Sequence, residues 1–203
     1  MKQTYVLTGC SSGLGFSLLK KLVHHKKNVI GISRHMGKAE EFKDSKYFEH
    51  IKLDLSSARY TDLKKYLTFE KVSQKYLILN AANFVFEGEE MLEPDEAKKI
   101  FDINYFSNLN LVKYLEEYNL RRCLFINSIS GLESQKGQFQ YSASKHALQS
   151  FANNLSYYSK NKDFDVMSVN PGGINTELWD KNSVLNKDIT SNFLDPDALA
   201  EIL

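Results

Sequence analysis

The feature that most constrains the fold is an alternation of short apolar runs with longer amphipathic segments. Six runs of five or six residues are rich in hydrophobic side chains, and most are nearly continuous, as in parallel strands covered on both faces. They are Thr4–Thr8, Asn28–Ser33, Ile51–Leu55, Tyr76–Ala81, Cys123–Ser128 and Asp165–Asn170. Helical patterns follow four of these runs, near residues 14–23, 59–69, 94–118 and 139–160. This alternation predicts a doubly wound parallel α/β sheet of six strands, with helices on both faces.

Length and composition predict one soluble domain that spans residues 1–203. The chain has 26 Lys and Arg against 25 Asp and Glu, so the clustered basic excess of a nucleic-acid-binding protein is missing. No run approaches the ~20 apolar residues that a membrane helix needs. The first nine residues lead directly into a strand, which leaves no room for a signal peptide. We therefore expect a cytoplasmic protein that binds neither nucleic acid nor membranes.

The cysteines and histidines do not suggest a metal site. Two cysteines and five histidines show no ligand spacing with one another or with a carboxylate. Cys10 lies where a helix begins, a position that lowers a thiol pKa, so a redox role stays open beside the favoured interpretation of a small residue that fills the turn. Cys123 is interpreted as a buried strand residue.

A glycine-rich loop, Thr8–Gly15, joins the first strand to the first helix. Glycines in such a loop permit a tight turn, close approach of the backbone to a pyrophosphate, and close packing of helix on strand. The free amide groups of the helix N-terminus then bind the phosphates. No Gly-Lys-Ser/Thr follows, so the loop is not of the mononucleotide Walker type. A dinucleotide site is predicted here.

The spacing T-G-x-x-x-G-x-G resembles the short-chain dehydrogenase/reductase family, and the resemblance continues in the family's order along nearly the whole chain. The matching motifs are Asn80-Ala81-Ala82-Asn83, Asn104, Ser128, Tyr141-x-x-x-Lys145 and Asn170-Pro171-Gly172. The resemblance implies a Rossmann-type fold and an NAD(P)-dependent oxidoreductase.

The end of the second strand bears on the choice of cofactor. An acidic residue there binds the ribose hydroxyls of NAD, whereas an arginine accommodates the extra phosphate of NADP. The chain has Ser33 and Arg34 and no acid, so NADP(H) is preferred and NAD(H) remains possible; the alternative is that Arg34 is an ordinary loop residue. Loop and resemblance together imply these cofactor contacts: Gly9, Ser11, Ser12, Gly13, Leu14, Gly15, Ser33, Arg34, Asp54, Leu55, Asn80, Ala81, Ala82, Tyr141, Lys145, Pro171, Gly172, Ile174 and Thr176.

Four residues form the catalytic set that the resemblance implies. Tyr141 and Lys145 are four apart on a predicted helix, so they share one face. By resemblance, Tyr141 transfers the proton, Lys145 binds the nicotinamide ribose and lowers the tyrosine pKa, and Ser128 binds the substrate oxygen. Asn104 matches the asparagine that positions a water for proton relay. A free tyrosine, with a pKa near 10, needs such help to work at neutral pH.

Two departures from the family pattern stand out. Asn83 replaces the usual glycine after the fourth strand. The chain also ends near the start of a helix, where the family normally continues to a seventh strand, so the sixth strand is expected to be an edge that either makes the chain marginally soluble or is covered by a partner. The resemblance favours a homodimer or homotetramer.

Residues 175–195 are a candidate substrate lid that carries Trp179, Lys181, Lys187 and Phe193.

The sequence thus favours an NADP(H)-dependent oxidoreductase that acts on a small carbonyl or alcohol substrate. The alternative is a non-catalytic NADP(H) sensor or scaffold of the same fold. The complete set of Ser128, Tyr141 and Lys145 favours the enzyme.

Overall fold

A computed structural model of the chain describes residues 3–67, 73–178 and 192–203. These residues form one parallel six-stranded sheet in the order β3-β2-β1-β4-β5-β6. Its strands are β1 (Gln3–Thr8), β2 (Asn28–Ser33), β3 (Phe48–Lys52), β4 (Gln74–Leu79), β5 (Leu120–Ile126) and β6 (Asp165–Val169). The predicted doubly wound α/β sheet is confirmed.

Six helices are described around the sheet. They are α1 (Gly13–His24), α2 (Tyr60–Tyr66), α3 (Pro94–Phe101), α4 (Ser107–Leu115), α5 (Phe139–Ser159) and α6 (Pro196–Ile202). Apolar residues at helical spacing, such as Leu14, Leu18 and Leu148, bury one face of each long helix. Among the described helices, none is both long and apolar enough to cross a bilayer.

The sheet is covered on both faces, which explains the continuous apolar runs. One core cluster joins the sheet to α2, α4 and α5 through residues such as Leu63, Leu111 and Leu155. The other joins it to α1 and α6 through residues such as Leu18 and Ala200. Strand order reverses at β1, which lies between β2 and β4. Ligands of such sheets bind in the crevice outside the carboxyl ends of the strands at this switch point.

Two connections differ from the simple alternation that the sequence suggests. Between β2 and β3 the chain forms a 3₁₀ helix, Gly37–Phe42, and β3 begins three residues before the predicted strand. The predicted helix 94–118 is interrupted by a π-helical turn, Asp102–Phe106. There the Ser107 hydroxyl donates to Ile103 O and the Asn108 amide donates to Asn104 O, so side chains compete for backbone carbonyls. Such insertions favour a π-bulge, which often lies at a functional site.

β6 lies at the edge of the described sheet, as expected. Met167 in its middle is 50% exposed. That a partner covers this edge stays a prediction.

Candidate active site

A cavity of about 720 Å³ opens at the carboxyl ends of the strands. All six strand ends contribute to its lining, as expected for the switch point of a doubly wound sheet. Every predicted cofactor contact lines it: Gly9, Ser11, Ser12, Gly13, Leu14, Gly15, Ser33, Arg34, Asp54, Leu55, Asn80, Ala81, Ala82, Tyr141, Lys145, Pro171, Gly172, Ile174 and Thr176. Ser128 lines it too. The structure therefore brings the nucleotide motif and the Ser/Tyr/Lys set onto one cavity.

The glycine loop is shaped so that only hydrogen fits at key points. Gly9 and Gly13 have φ of 69° and 52°, in the left-handed region. A Cβ on Gly15 would lie less than 3.0 Å from the carbonyl oxygen of Gly9, so α1 can start directly over the turn only with glycine here. A Cβ on Gly13 would collide with the Thr176 side chain. The loop thus forms a backbone cradle at the N-terminus of α1 that fits a pyrophosphate.

The segment after β4 is fastened to this loop. The Thr8 hydroxyl accepts the N–H groups of Asn80 and Ala81, each at 2.9 Å. In return, the Asn80 amide donates to the carbonyls of Thr8 and Gly9, at 3.1 and 3.2 Å. These four hydrogen bonds fix the two walls of the cavity on either side of the switch point.

At the end of β2 the structure places Arg34 on the cavity, as the sequence suggests, and it also shows hydrogen bonds of Ser33. Arg34 is exposed and lines the cavity. Ser33 is buried, and its hydroxyl donates to His35 O at 2.7 Å and contacts His50 Nε2 at 2.8 Å. The hydroxyl of Ser33 is therefore already engaged, whereas Arg34 and His35 are both exposed at this strand end and line the cavity. Asp54 accepts from Ser56 N and Oγ, at 3.0 and 2.7 Å, and lies at the same end of the cavity.

Tyr141 and Lys145 lie in the first two turns of α5 and face the cavity together. Burial raises the pKa of Tyr141 to about 12, and a hydrogen bond with Ser128 opposes part of that rise. Lys145 is 2% exposed and donates from Nζ to Ile126 O at 3.1 Å. Burial lowers the pKa of Lys145 to about 8. Its Nζ is 5.7 Å from the centre of the Tyr141 ring.

Ser128 is held by its own turn. Its hydroxyl oxygen accepts the N–H of Ser130 at 3.1 Å at the start of a 3₁₀ helix, Ile129–Gly131. Since the oxygen accepts there, its proton remains available to Tyr141 or to a ligand in the cavity.

The lowered pKa of Lys145 predicts how the free energy of unfolding changes with pH. A folded-state pKa near 8, against an ordinary value of 10.5, means that the unfolded chain binds more protons between pH 8 and 10.5. The free energy of unfolding should therefore rise with pH through this window, by about 2 kcal/mol between pH 7 and 9.5. Denaturant titrations of wild type and Lys145→Met should differ by this pH-dependent amount. Exposed Lys160, changed to Met, is the control that should parallel wild type. If the free energy of unfolding of Lys145→Met changed with pH in parallel with wild type, the lowered pKa of Lys145 would be contradicted.

Asn104 does not line the cavity, unlike the other three members of the set. It is fully buried, and its Oδ1 accepts Asn83 N at 2.7 Å. Its Nδ2 donates to Asn83 O at 3.0 Å and to Ser144 Oγ at 2.9 Å. Its carbonyl accepts the Asn108 amide. The side chain thus joins the segment after β4 to α5. That Asn104 positions a water for proton relay stays a prediction. Asn83 does not have a positive φ, so a non-glycine residue stands here without backbone strain.

Some supporting residues were missed by sequence reasoning. Asn127 donates to Gln149 Oε1 at 2.9 Å and to Lys145 O at 3.3 Å, so it ties the end of β5 to α5. Its position directly before Ser128 was the available signal. Gln138 contacts the Ser130 hydroxyl at 3.0 Å and lines the cavity.

The candidate lid lies only partly within the described residues. Trp179, Lys181 and Lys187 fall outside them. At its two ends, Ile174 pairs with Leu194, and Phe193 packs against Gly173. Glu177 forms an ion pair with Lys38, and this contact lowers the pKa of Glu177.

The cysteines carry no reactive signature. Cys10 is fully buried, and burial raises the pKa of its thiol despite its place near the helix N-terminus. The interpretation as a small residue that fills the turn agrees with this; the lowered pKa of a redox cysteine does not. Cys123 is buried in β5, where burial also raises its pKa. No cluster of metal-ligating side chains occurs among the described residues.

An open parallel sheet with a glycine cradle at its switch point defines the doubly wound nucleotide-binding class. The model of the short chain dehydrogenase family matches residues 3–185. A Drosophila melanogaster relative, dehydrogenase/reductase SDR family protein 7-like, is 30% identical over 97% of this chain and 67% of its own length. The chain therefore belongs to the short-chain dehydrogenase family, and it is an oxidoreductase of that family. The predicted resemblance is confirmed.

Solved structures agree in fold. 4-Hydroxyisoleucine dehydrogenase complexed with NADH superposes with a TM-score of 0.83 at 22% identity, over 99% of this chain and 89% of that one. A short-chain dehydrogenase from Sphingobium yanoikuyae in complex with NADPH superposes with a TM-score of 0.81 at 18% identity, over 98% of this chain and 81% of that one. At these identities the likeness concerns the fold.

Proposed function

We propose that the chain is an NADP(H)-dependent reductase or dehydrogenase that transfers a hydride between nicotinamide and a carbonyl or hydroxyl carbon, with Tyr141 as the general acid and base. The observation that supports this most is the meeting of Ser128, Tyr141 and Lys145 on the cavity that also contains the glycine cradle. Related folds hold NADH in one solved structure and NADPH in another, so a nicotinamide cofactor fits this cavity.

The protein's own groups would divide the work as follows. The bound nicotinamide supplies the hydride in reduction and accepts it in oxidation. The Ser128 hydroxyl, which lines the cavity beside Tyr141, would donate a hydrogen bond to the substrate oxygen and orient it toward Tyr141. The Tyr141 hydroxyl, protonated over the physiological range, gives its proton to that oxygen in reduction and takes it back in oxidation.

Lys145 is the group that makes the tyrosine effective. Its ammonium lies beside the phenol ring and favours the phenolate over the phenol. The lysine is still mostly protonated at pH 7, since its pKa is about 8. A cationic nicotinamide ring in the same cavity would act in the same direction. Cofactor binding should therefore bring the pKa of Tyr141 down from its high value in the free protein.

The preference for NADP(H) rests on Arg34. This guanidinium lines the cavity at the end of β2, where the chain has no carboxylate to bind ribose hydroxyls or to repel a phosphate. The small-molecule substrate is proposed to be a carbonyl or alcohol compound. We further propose a cytoplasmic homodimer or homotetramer.

Changing Arg34 to alanine is expected to weaken NADPH binding by tenfold or more and NADH binding by less than threefold. In the proposed complex the arginine would pair with the added phosphate, which NADH lacks, and charge-assisted hydrogen bonds of this kind contribute about 1.5–3 kcal/mol. Fluorescence titration of the purified chain with each nucleotide measures both affinities. Arg122→Ala is the matched control, since Arg122 lies at the opposite end of the sheet in an ion pair with Asp165. Equal losses for the two nucleotides would overturn the preference for NADP(H).

A further inference from the structure

Glu87 is a buried carboxylate that the proposed mechanism does not use. It lies between β4 and α3 and is 8% exposed. Its Oε1 accepts the N–H of Gln140 at 2.7 Å, and its Oε2 accepts the N–H of Leu92 at 3.2 Å. Both partners are backbone amides, and neither is a cation. Burying a carboxylate is costly unless it is hydrogen-bonded, so these two hydrogen bonds are what stabilise Glu87 in this place.

The helix that receives this carboxylate lacks a cap of its own. Gln138, the residue before α5, makes no side-chain capping hydrogen bond within the described residues, and the first turn of α5 has no acidic side chain. The first N–H groups of a helix have no intrahelical acceptor, and a negative charge there is favourable. Glu87 supplies both an acceptor and a charge from 53 residues away in the sequence.

Tyr141 lies in this first turn. α5 begins at Phe139, and its first intrahelical hydrogen bond runs from Ser142 N to Gln138 O. Tyr141 directly follows Gln140, whose amide Glu87 binds. Because a helix end without acceptors frays, the placement of the phenol depends on what holds this turn.

The segment around Glu87 is attached to the site at several points. Glu87 N donates to Gly137 O at 2.8 Å, two residues before α5 begins. At its other end, Asn83 is held by Asn104. Between them, Phe84 packs edge-on against the Tyr141 ring, with centroids 4.9 Å apart. The segment 83–87 is therefore hydrogen-bonded at both ends, and Phe84 within it packs against Tyr141.

We infer that Glu87 is a positioning residue: its carboxylate caps α5 from a distant loop and so fixes Tyr141 relative to the cavity wall formed after β4. The inference rests on the proposed function of Tyr141. It predicts that kcat and the order of the first turn of α5 depend more on the acceptor oxygens of Glu87 than on the volume of its side chain.

Two substitutions of similar size separate these properties. Glu87→Gln keeps an acceptor for Gln140 N, whereas Glu87→Met fills the space with none. With diacetyl, cyclohexanone and 4-nitrobenzaldehyde as carbonyl probes, Glu87→Met should lower kcat at least tenfold while the cofactor KM changes less than twofold. Glu87→Gln should stay within about threefold of wild type. Exposed Glu89 in the same loop, changed to Gln, is the matched control and should leave both parameters unchanged.

Amide hydrogen exchange gives a readout that needs no substrate. Exchange in residues 140–142 should be at least tenfold faster in Glu87→Met than in wild type, and near wild type in Glu87→Gln. The far half of α5 should not change in either. This measurement decides the question even where no probe is turned over.

Two results would overturn the inference. In the first, Glu87→Gln and Glu87→Met lose activity equally and in proportion to the loss of folded protein. Glu87 would then contribute through packing alone. In the other, both variants keep wild-type exchange in the first turn. A Tyr141→Phe variant run alongside separates the two claims: if it retains activity, the proposed function fails, and if it loses activity while Glu87→Met does not, only the positioning role fails.

Discussion

Tyr141→Phe is expected to lower kcat by about 1000-fold or more and to change the cofactor Kd by less than threefold. General acid–base catalysis by a placed side chain contributes roughly 10²–10⁴-fold, and this variant removes the only proton of Tyr141 that can be transferred. The ring itself remains, so its packing against Phe84 is kept. Initial rates with a carbonyl panel and fluorescence titration with NADPH measure the two quantities.

The control for this substitution is Tyr157→Phe, on an exposed part of the same helix. It removes a phenol hydroxyl without touching the cavity, so activity should be within twofold of wild type. Substantial turnover by Tyr141→Phe would exclude Tyr141 as the acid and base. Loss of nucleotide binding in the same variant would instead indicate damage to the site as a whole.

Gly15→Ala is expected to abolish nucleotide binding, with at least a 100-fold loss of affinity, and to destabilise the fold by about 3 kcal/mol or more. The added methyl would collide with the carbonyl of Gly9, which is backbone and cannot rotate away. To relieve the clash, α1 must move off the turn and open the phosphate cradle. Thermal unfolding and NADPH titration detect the two effects.

Gly172→Ala is the matched control for stability. A Cβ there meets nothing within 4 Å, although Gly172 lines the same cavity. Its Tm should therefore remain close to that of wild type. A Gly15→Ala protein as stable as Gly172→Ala would show that the loop relaxes more easily than its geometry indicates.

The sheet was predictable because parallel strands buried on both faces have a strong local signal. The runs Thr4–Thr8 and Asn28–Ser33 agree with β1 and β2 to within one residue. The glycine loop was predictable for a similar reason. Positions 9, 13 and 15 need glycine because of positive φ or close backbone contacts, and the glycines are visible in the sequence.

The parts that were missed depend on contacts between distant segments. The π-turn at Asp102–Phe106 arises from side chains that bind backbone carbonyls, and apolar spacing carries no trace of it. The inward orientation of Asn104 depends on Asn83, 21 residues away. Glu87 resembles a solvated acidic residue within the sequence Glu87–Glu90, and only the fold shows that it meets the start of α5.

The link between Thr8 and the segment after β4 also has a consequence for biosynthesis. The glycine loop leaves the ribosome some 70 residues ahead of Asn80 and Ala81, which complete the hydrogen bonds of the Thr8 hydroxyl. A nascent chain that ends before β4 therefore has the phosphate-binding sequence without the wall that shapes it. Nucleotide affinity should therefore be absent before β4 emerges, and once the later cavity residues have followed, the dinucleotide would favour the folded chain by mass action.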